Sequence, residues 1–512
     1  MAGLPKSLPI VQAYIGNGLV TLNGAEWHRH RTIIQPGFAG QYVRNLMESA
    51  LPPLLENMCR SWEKLPPGTP VSIQDHLQSL TLDTIGRAGF GHEFGMTKEL
   101  LRWADAVKEN LADRRRRKGD NDENGGGHVK FADLPPRDLH THPIAAAFSS
   151  QEMTVIRPTL TEIAFGPWYT RLASNVFRGS RSWRRAAVVR RTDKAIEEIV
   201  REQRERCREK EAKLTESIRR RSSAMSEGED VSPPRASDGG GGHHRTSSNG
   251  VEAKPQSDAK FLKSVRKTPR SILELLISDF SGLTDAELRD ECKTFIFAGA
   301  ETTSNAVSLS VFAMLTTPER GDGIQRRLYE DIVHHWPDSS IPPTADQLNK
   351  MEYLQAVLKE GLRMYPPVGM IFRIADKRLE SFCGAGPIPK GTRLVLSIYL
   401  LHRNPDVWGE RADEFVPERW MSDPAVRAAV PGGGVEPAPD DPFSYVPFSG
   451  GGRQCIGKSF AMLEAKMILA TIVRRFRFKL AEELRGATFE MTSFITMRPK
   501  PHFVVEAEPR KD

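Results

Sequence analysis

Cysteine is scarce in this chain. Its 512 residues hold five, Cys59, Cys207, Cys292, Cys383 and Cys455, odd in number and far apart. That argues against a disulfide framework or a paired-cysteine zinc site and makes a reducing compartment the expectation. Long apolar runs are also missing: no stretch approaches the roughly 18 residues that would span a bilayer, and the opening MAGLPKSLPIVQAYIGNG lacks the apolar centre of a signal peptide. Hydrophobic residues make up only 39%, low for a compact enzyme, so polar inserts are expected to dilute an ordinary core. Charge of one sign is not strongly in excess, 72 basic against 65 acidic residues leaving +7. The basic residues gather at Arg114–Lys118 and between Arg181 and Arg221, with Trp183 as the lone aromatic and no aromatic-interleaved stripe. They read as solvated faces and linkers and not as a nucleic-acid surface, with an acidic protein or a membrane surface as the remaining reading.

Residues 119–128 and, more clearly, about 216–262 carry too few apolar side chains to fold, and a polar loop from Ser422 to Asp441 contains Pro431-Gly432-Gly433-Gly434. The expectation is one domain over 1–512 with disordered inserts at about 114–130, 216–265 and 422–441. Between the inserts the apolar period is helical, over Gln41–Lys64, Ser72–Ala88, Asp193–Lys213, Ser271–Phe280, Asp285–Leu315, Asp346–Met364 and Gly457–Phe476. Thr284 and Glu287 predict a capping box, and Pro366-Pro367 predict the end of the helix that reaches Tyr365. Strands are expected near Leu379–Cys383, Arg393–Leu400 and Phe494–Val505. The fold class is mainly α with small β-sheets.

The run Phe448-Ser449-Gly450-Gly451-Gly452-Arg453-Gln454-Cys455-Ile456-Gly457 sets one cysteine in a glycine-lined loop before a helix. The same letters fit a phosphate loop, with Gly452, four residues, then Gly457-Lys458-Ser459. A phosphate loop needs a feeding strand and enough following chain to complete a parallel sheet. Tyr445-Val446-Pro447 precedes this one and only about 50 residues follow it. An inert cysteine in a turn is the bland alternative. Metal ligation explains more: glycines let main-chain N–H groups approach a thiolate, and the start of the following helix favours negative charge.

Three further segments bear on the choice. Ala298-Gly299-Ala300-Glu301-Thr302-Thr303 puts an acid and a hydroxyl into a long apolar helix, where a buried glutamate is costly without a task. Glu360 and Arg363 at i and i+3 would alone be an ordinary ion pair, but Arg419 in Pro417-Glu418-Arg419-Trp420 could complete a network with Glu360. Trp27 and Arg31, four apart on a probable helix, could present an indole and a guanidinium to a carboxylate.

With these motifs in this order, the chain resembles the cytochrome P450 superfamily, eukaryotic microsomal type, over most of residues 17–110 and 160–508. The resemblance implies a fold that holds haem b between a long oxygen-binding helix and the cysteine loop, with Cys455 as axial ligand to the iron. It implies that Phe448 packs near the sulfur, that Arg453, Trp27, Arg31 and Arg373 meet the haem propionates, and that Glu360, Arg363 and Arg419 form a structural triad. Thr302 and Glu301 would be catalytic, in handling O2 and protons, and Ala298, Val368, Ile371 and Phe494 would line the substrate pocket. The implied activity is a haem-thiolate monooxygenase that inserts one oxygen atom from O2 into a lipophilic substrate, fed by an NADPH-dependent reductase. An O2-independent isomerase or dehydratase and an inactive haem-binding fragment are the alternatives. Family members carry a longer front with a membrane anchor, so the resemblance implies an N-terminally truncated chain and attachment to the cytosolic face of the endoplasmic reticulum. This sequence holds no anchor and would be soluble as written.

Overall fold

The computed structural model describes residues 15–118, 130–134, 181–226, 271–277, 282–381, 384, 386–493 and 496–510, together with Gln12 and Ile144. Helices dominate. In chain order they are α1 Gly24–Ile34, α2 Gly40–Glu63, α3 Ile73–Thr84, α4 Met96–Lys118, α5 Arg181–Ser226, α6 Ile272–Ile277, α7 Asp285–Thr316, α8 Gly321–His335, α9 Ala345–Lys350 and α10 Glu352–Met364. The short α11 Ile398–Leu401, α12 Pro405–Trp408 and α13 Pro424–Ala428 follow, then α14 Lys458–Arg475. Among the described residues the strands are β1 Pro70–Val71, β2 Met370–Ile374, β3 Arg393–Ser397, β4 Phe476–Leu480, β5 Glu490–Ser493, β6 Met497–Lys500 and β7 Val505–Pro509. They pair antiparallel as β1-β7-β4, β2-β3 and β5-β6. The molecule is mainly α with small sheets, as its residue periods predict.

The 32-residue α7 is the axis of the fold. Its start is fixed by the predicted capping box: Glu287 N–H donates to Thr284 Oγ1 at 3.3 Å, and Thr284 N–H to Glu287 Oε2 at 2.8 Å. A helix buried this completely must satisfy its polar side chains locally. Ser304, Ser308 and Ser310 do so by donating back to the carbonyls of Glu301, Asn305 and Ala306. Around α7 pack α3, α10 and α14, in one continuous apolar core that runs from Ile15 to Val505. The approach of α10 is close enough that a Cβ at Gly361 would collide with Ser310. The only bilayer-length question the fold raises is answered simply: no described helix is long and apolar enough to cross a membrane.

The elements differ from the sequence reading where pattern is weakest. The expected helix over Asp346–Met364 is two, broken at Met351, whose ψ of 89° leaves the helical region. The expected strand at Leu379–Cys383 is a single bridge, Leu379 to Ile388, while Cys383 lies outside the described residues. Two of the three expected inserts fall partly outside the described residues. Helices α4 and α5 run on to Lys118 and Ser226, and residues 119–129 and 227–270 lie outside the described part. The third is corrected outright: 422–441 is an ordered loop with α13 in it. Arg411 holds it by donating to the Pro431 and Gly434 carbonyls at 3.1 and 2.6 Å. Its composition is that of a disordered segment, but one buried-stem arginine supplies the tertiary anchor that composition does not report.

Candidate functional site

Glycine and Ser449 shape the cysteine loop. Gly451 and Ser449 both take positive φ, 67° and 59°, and the turn closes through a hydrogen bond from Cys455 N–H to the Phe448 carbonyl at 2.9 Å. Phe448 therefore touches the cysteine through its main chain, and its ring is half-buried. Cys455 is exposed. Although the residue as a whole is exposed, its sulfur is dehydrated among the loop atoms, which pushes its thiol up against the Gly457 N–H and the Arg31 and Lys458 charges. Those three groups are what a thiolate requires.

Three arginines stand behind this loop. Arg31 donates to the Gln454 carbonyl at 3.1 Å. Arg373 donates to Ser449 Oγ at 3.2 Å and to its neighbour's carbonyl. Arg453 reaches the Leu22 carbonyl at 2.7 Å and Asn23 Oδ1 at 2.9 Å, with its guanidinium 4.1 Å from the centre of the Trp27 ring. Burial, then the Arg373 and Arg31 charges, lower Arg453 to about 10. Among the described residues none of the three forms an ion pair with a carboxylate. Like charges gathered and part-buried without a counter-charge are a site for an anion.

From Asp290 to Met314 every residue of α7 is buried except Phe297, Ala298, Gly299 and Thr302, so the helix opens only at this step. Phe38 bridges the opening to the loop. Its ring lies 5.8 Å from that of Phe295 on α7 and 6.3 Å from that of Phe460 on α14. A Cβ at Gly457 would lie 3.9 Å from both Phe38 Cε1 and Cys455 Sγ. Thr302 Oγ1 donates to the Ala298 carbonyl at 2.6 Å. Glu301 is turned elsewhere: its Oε1 accepts from Thr496 Oγ1 at 2.7 Å and pairs with Arg498 at 2.6 Å. A side chain at Gly299 would meet Ile85, so that glycine serves helix packing.

Glu360, Arg363 and Arg419 converge with essentially no exposure. Arg363 is bidentate on Glu360 at 2.9 and 2.8 Å, Arg419 Nε donates at 3.3 Å and the Trp420 indole at 2.8 Å. Against burial, the Arg363 and Arg419 charges hold the Glu360 carboxyl below its ordinary value. Arg363 also donates to the His402, Ala412 and Glu414 carbonyls, tying α10 to the loop that leads toward Cys455.

Val368 and Ile371 are half-buried, and Phe494 lies outside the described residues. Arg498 and Thr496 carry no sequence signal that would have marked them, being single polar residues outside any spaced pattern, whereas Ser449 lies within the cysteine motif itself. Among the described residues one carboxylate–histidine cluster has metal-like spacing, Glu26, His30 and Glu287. Arg29 pairs with both of its acids, which makes it an ion network.

The family profile described as Cytochrome P450 matches residues 4–118 and 246–505. Among curated relatives, Probable cytochrome P450 4d20 of Drosophila melanogaster is 35% identical over 250 residues, 48% of this chain and 44% of the relative. Cytochrome P450 3A29 of Sus scrofa is 33% identical over 267 residues, 48% and 49% of the two chains. Cytochrome P450 CYP72A219 of Panax ginseng is 37% identical over 219 residues, 43% and 38%. The chain spans less than half the length of each of these relatives.

Proposed function

Because the chain belongs to the cytochrome P450 family, we propose that it is a haem-thiolate monooxygenase acting on a lipophilic substrate, with electrons from an NADPH-dependent reductase. The observation that carries this reading is the exposed Cys455 backed by Arg31, Arg373 and Arg453, which lack a carboxylate partner among the described residues. The residues fit haem b: a thiol with N–H and cationic support for the iron, and guanidiniums for two propionates. When bound, the haem supplies the redox chemistry that activates O2 and transfers one of its atoms.

The chain's own residues then have separable tasks. The Gly457 N–H and the Arg31 and Lys458 charges would favour the anionic Sγ that holds the iron. Arg31, Arg373 and Arg453, with Trp27 under Arg453, orient the propionate edge. Thr302, with its proton committed to the Ala298 carbonyl, keeps lone pairs to accept from a water and so to order proton delivery at the open step of α7. Glu301 shares its carboxylate with Arg498 and Thr496, so any proton it passes requires that bridge to open. The Glu360, Arg363 and Arg419 network holds the frame. Ala298, Val368 and Ile371 give an apolar wall, suited to a lipophilic molecule. Lys458 is exposed beside the loop, where an acidic reductase could dock. Arg474 and Arg475 are already engaged, Arg474 with the Pro337 carbonyl and Arg475 with Glu56 and Glu63.

The test is the spectrum of the reduced, CO-bound protein. Wild type is expected to show the thiolate-type Soret band and Cys455→His to lack it. A Cys455→His protein that keeps the band would overturn the ligand assignment. Thr302→Ala is expected to divert NADPH from product to peroxide; unchanged coupling would remove Thr302 from proton delivery.

A further inference from the structure

Helix α14, which starts three residues after Cys455, carries a buried acid that the functions above do not use. Glu464 is 1% exposed, and its carboxyl faces two hydroxyls, Thr303 on α7 and Thr84 at the end of α3. Both Glu464 Oε1 and Thr303 Oγ1 are buried without a well-formed hydrogen bond. Thr84 Oγ1 spends its proton on the Leu80 carbonyl at 2.9 Å, so toward Glu464 it can only accept. No charged group among the described residues acts on the carboxyl. Asp83, beside Thr84, is turned to the Met96 and Thr97 N–H groups. Lys466 is held by Asn349 and Gln355, and Arg87 by Glu93 and the Ala50 carbonyl.

A carboxylate buried with no cation costs several kcal/mol, whereas a protonated carboxyl gains a donor and loses the charge. An accepting Thr84 and a partnerless Thr303 are the surroundings that a protonated acid fits. We infer that Glu464 is a protonated positioning residue: its O–H donates to the Thr84 hydroxyl and its carbonyl oxygen accepts from Thr303, tying the cysteine-ligand helix to α3 and to the step of α7 that presents Thr302. Burial pushes its carboxyl up to about 8, with the Thr303 and Thr84 hydroxyls pulling the other way. The inference rests on the monooxygenase reading for its role at Thr302, but not for the protonation state itself.

The sign follows from linkage. The group's proton affinity is raised on folding, so its stabilising effect is complete below the ordinary carboxyl value of 4.5. It is lost as pH rises toward and through about 8. The experiment uses the full haem-loaded chain, as wild type, Glu464→Gln and Thr303→Val. Infrared difference spectra near neutral pH are expected to show the carbonyl stretch of a buried protonated acid in wild type, absent in Glu464→Gln and shifted in Thr303→Val. Thermal unfolding between about pH 5 and about pH 9 is expected to show wild type losing a few degrees more than Glu464→Gln, the difference cancelling other titrating groups. In turnover, the peroxide fraction is expected to climb above about pH 8 in wild type and stay flat in Glu464→Gln. A missing acid band, or equal pH slopes in the two proteins, overturns the inference. If Glu464→Gln does not fold, the Thr303→Val shift decides, and an unshifted band overturns it. The infrared and unfolding readouts need no turnover, so a chain with the acid signature but without the thiolate Soret band fails the functional reading and not this one.

Discussion

At the scale of single residues, charge placement decides most of what this chain can do. Arg453 lies over the Trp27 ring and near the charges of two other guanidiniums, so Arg453→Ala is expected to relieve repulsion in the empty protein yet weaken haem retention. Haem transfer to an apo-globin acceptor measures this, and an unchanged transfer rate would detach Arg453 from the propionates. His30 and Glu291, both buried, share a hydrogen bond of 2.7 Å. Burial works against the imidazolium, but the Glu291 hydrogen bond and charge, with help from Glu287, together outweigh it and raise His30. Its contribution is therefore complete below the ordinary histidine range and lost as pH rises through the raised value. Glu291→Gln is expected to cost about 1–3 kcal/mol near neutral pH, read by denaturant unfolding. Cys455, Arg453 and Thr302 were legible because each sits in a short spaced motif. Glu464, His30 and Arg498 were not, because their meaning lies in what faces them across 160 or more residues of chain.

At the scale of elements, helix contacts set tolerances. The crossing of α10 on α7 admits no side chain at Gly361 without moving Ser310. Gly361→Ala is therefore expected to lower stability by about 1–3 kcal/mol despite the better helix propensity of alanine. Thermal unfolding checks the sign, since a stabilised variant would mean that the helices can separate freely. The capping box of α7 and the proline stop of α10 were readable from local chemistry. The break at Met351 and the strands β2 and β4 were not. The break carries no proline or glycine, and each strand is short and takes its definition from a partner well removed in sequence.

At the scale of the whole molecule, the buried network of Glu360, Arg363 and Arg419 joins α10 to the loops that lead to Cys455. Removing its one acid strands two buried cations. Glu360→Ala is expected to cost about 3–5 kcal/mol, seen as loss of folded, haem-loaded protein; an unaffected yield would show that the loops hold without it. Fold class was legible because helical period survives in nearly every long segment, whereas the order within 422–441 was hidden because it depends on Arg411 from outside the segment. The three arginines behind the cysteine loop carry one last consequence. A site that repels itself when empty and is neutralised when filled couples cofactor supply to survival of the fold. Ligand at a thousandfold excess over its dissociation constant adds about 4 kcal/mol to a folded state. Cells starved of haem should therefore accumulate less of this protein for reasons of mass action, with no change in the rate at which it is made.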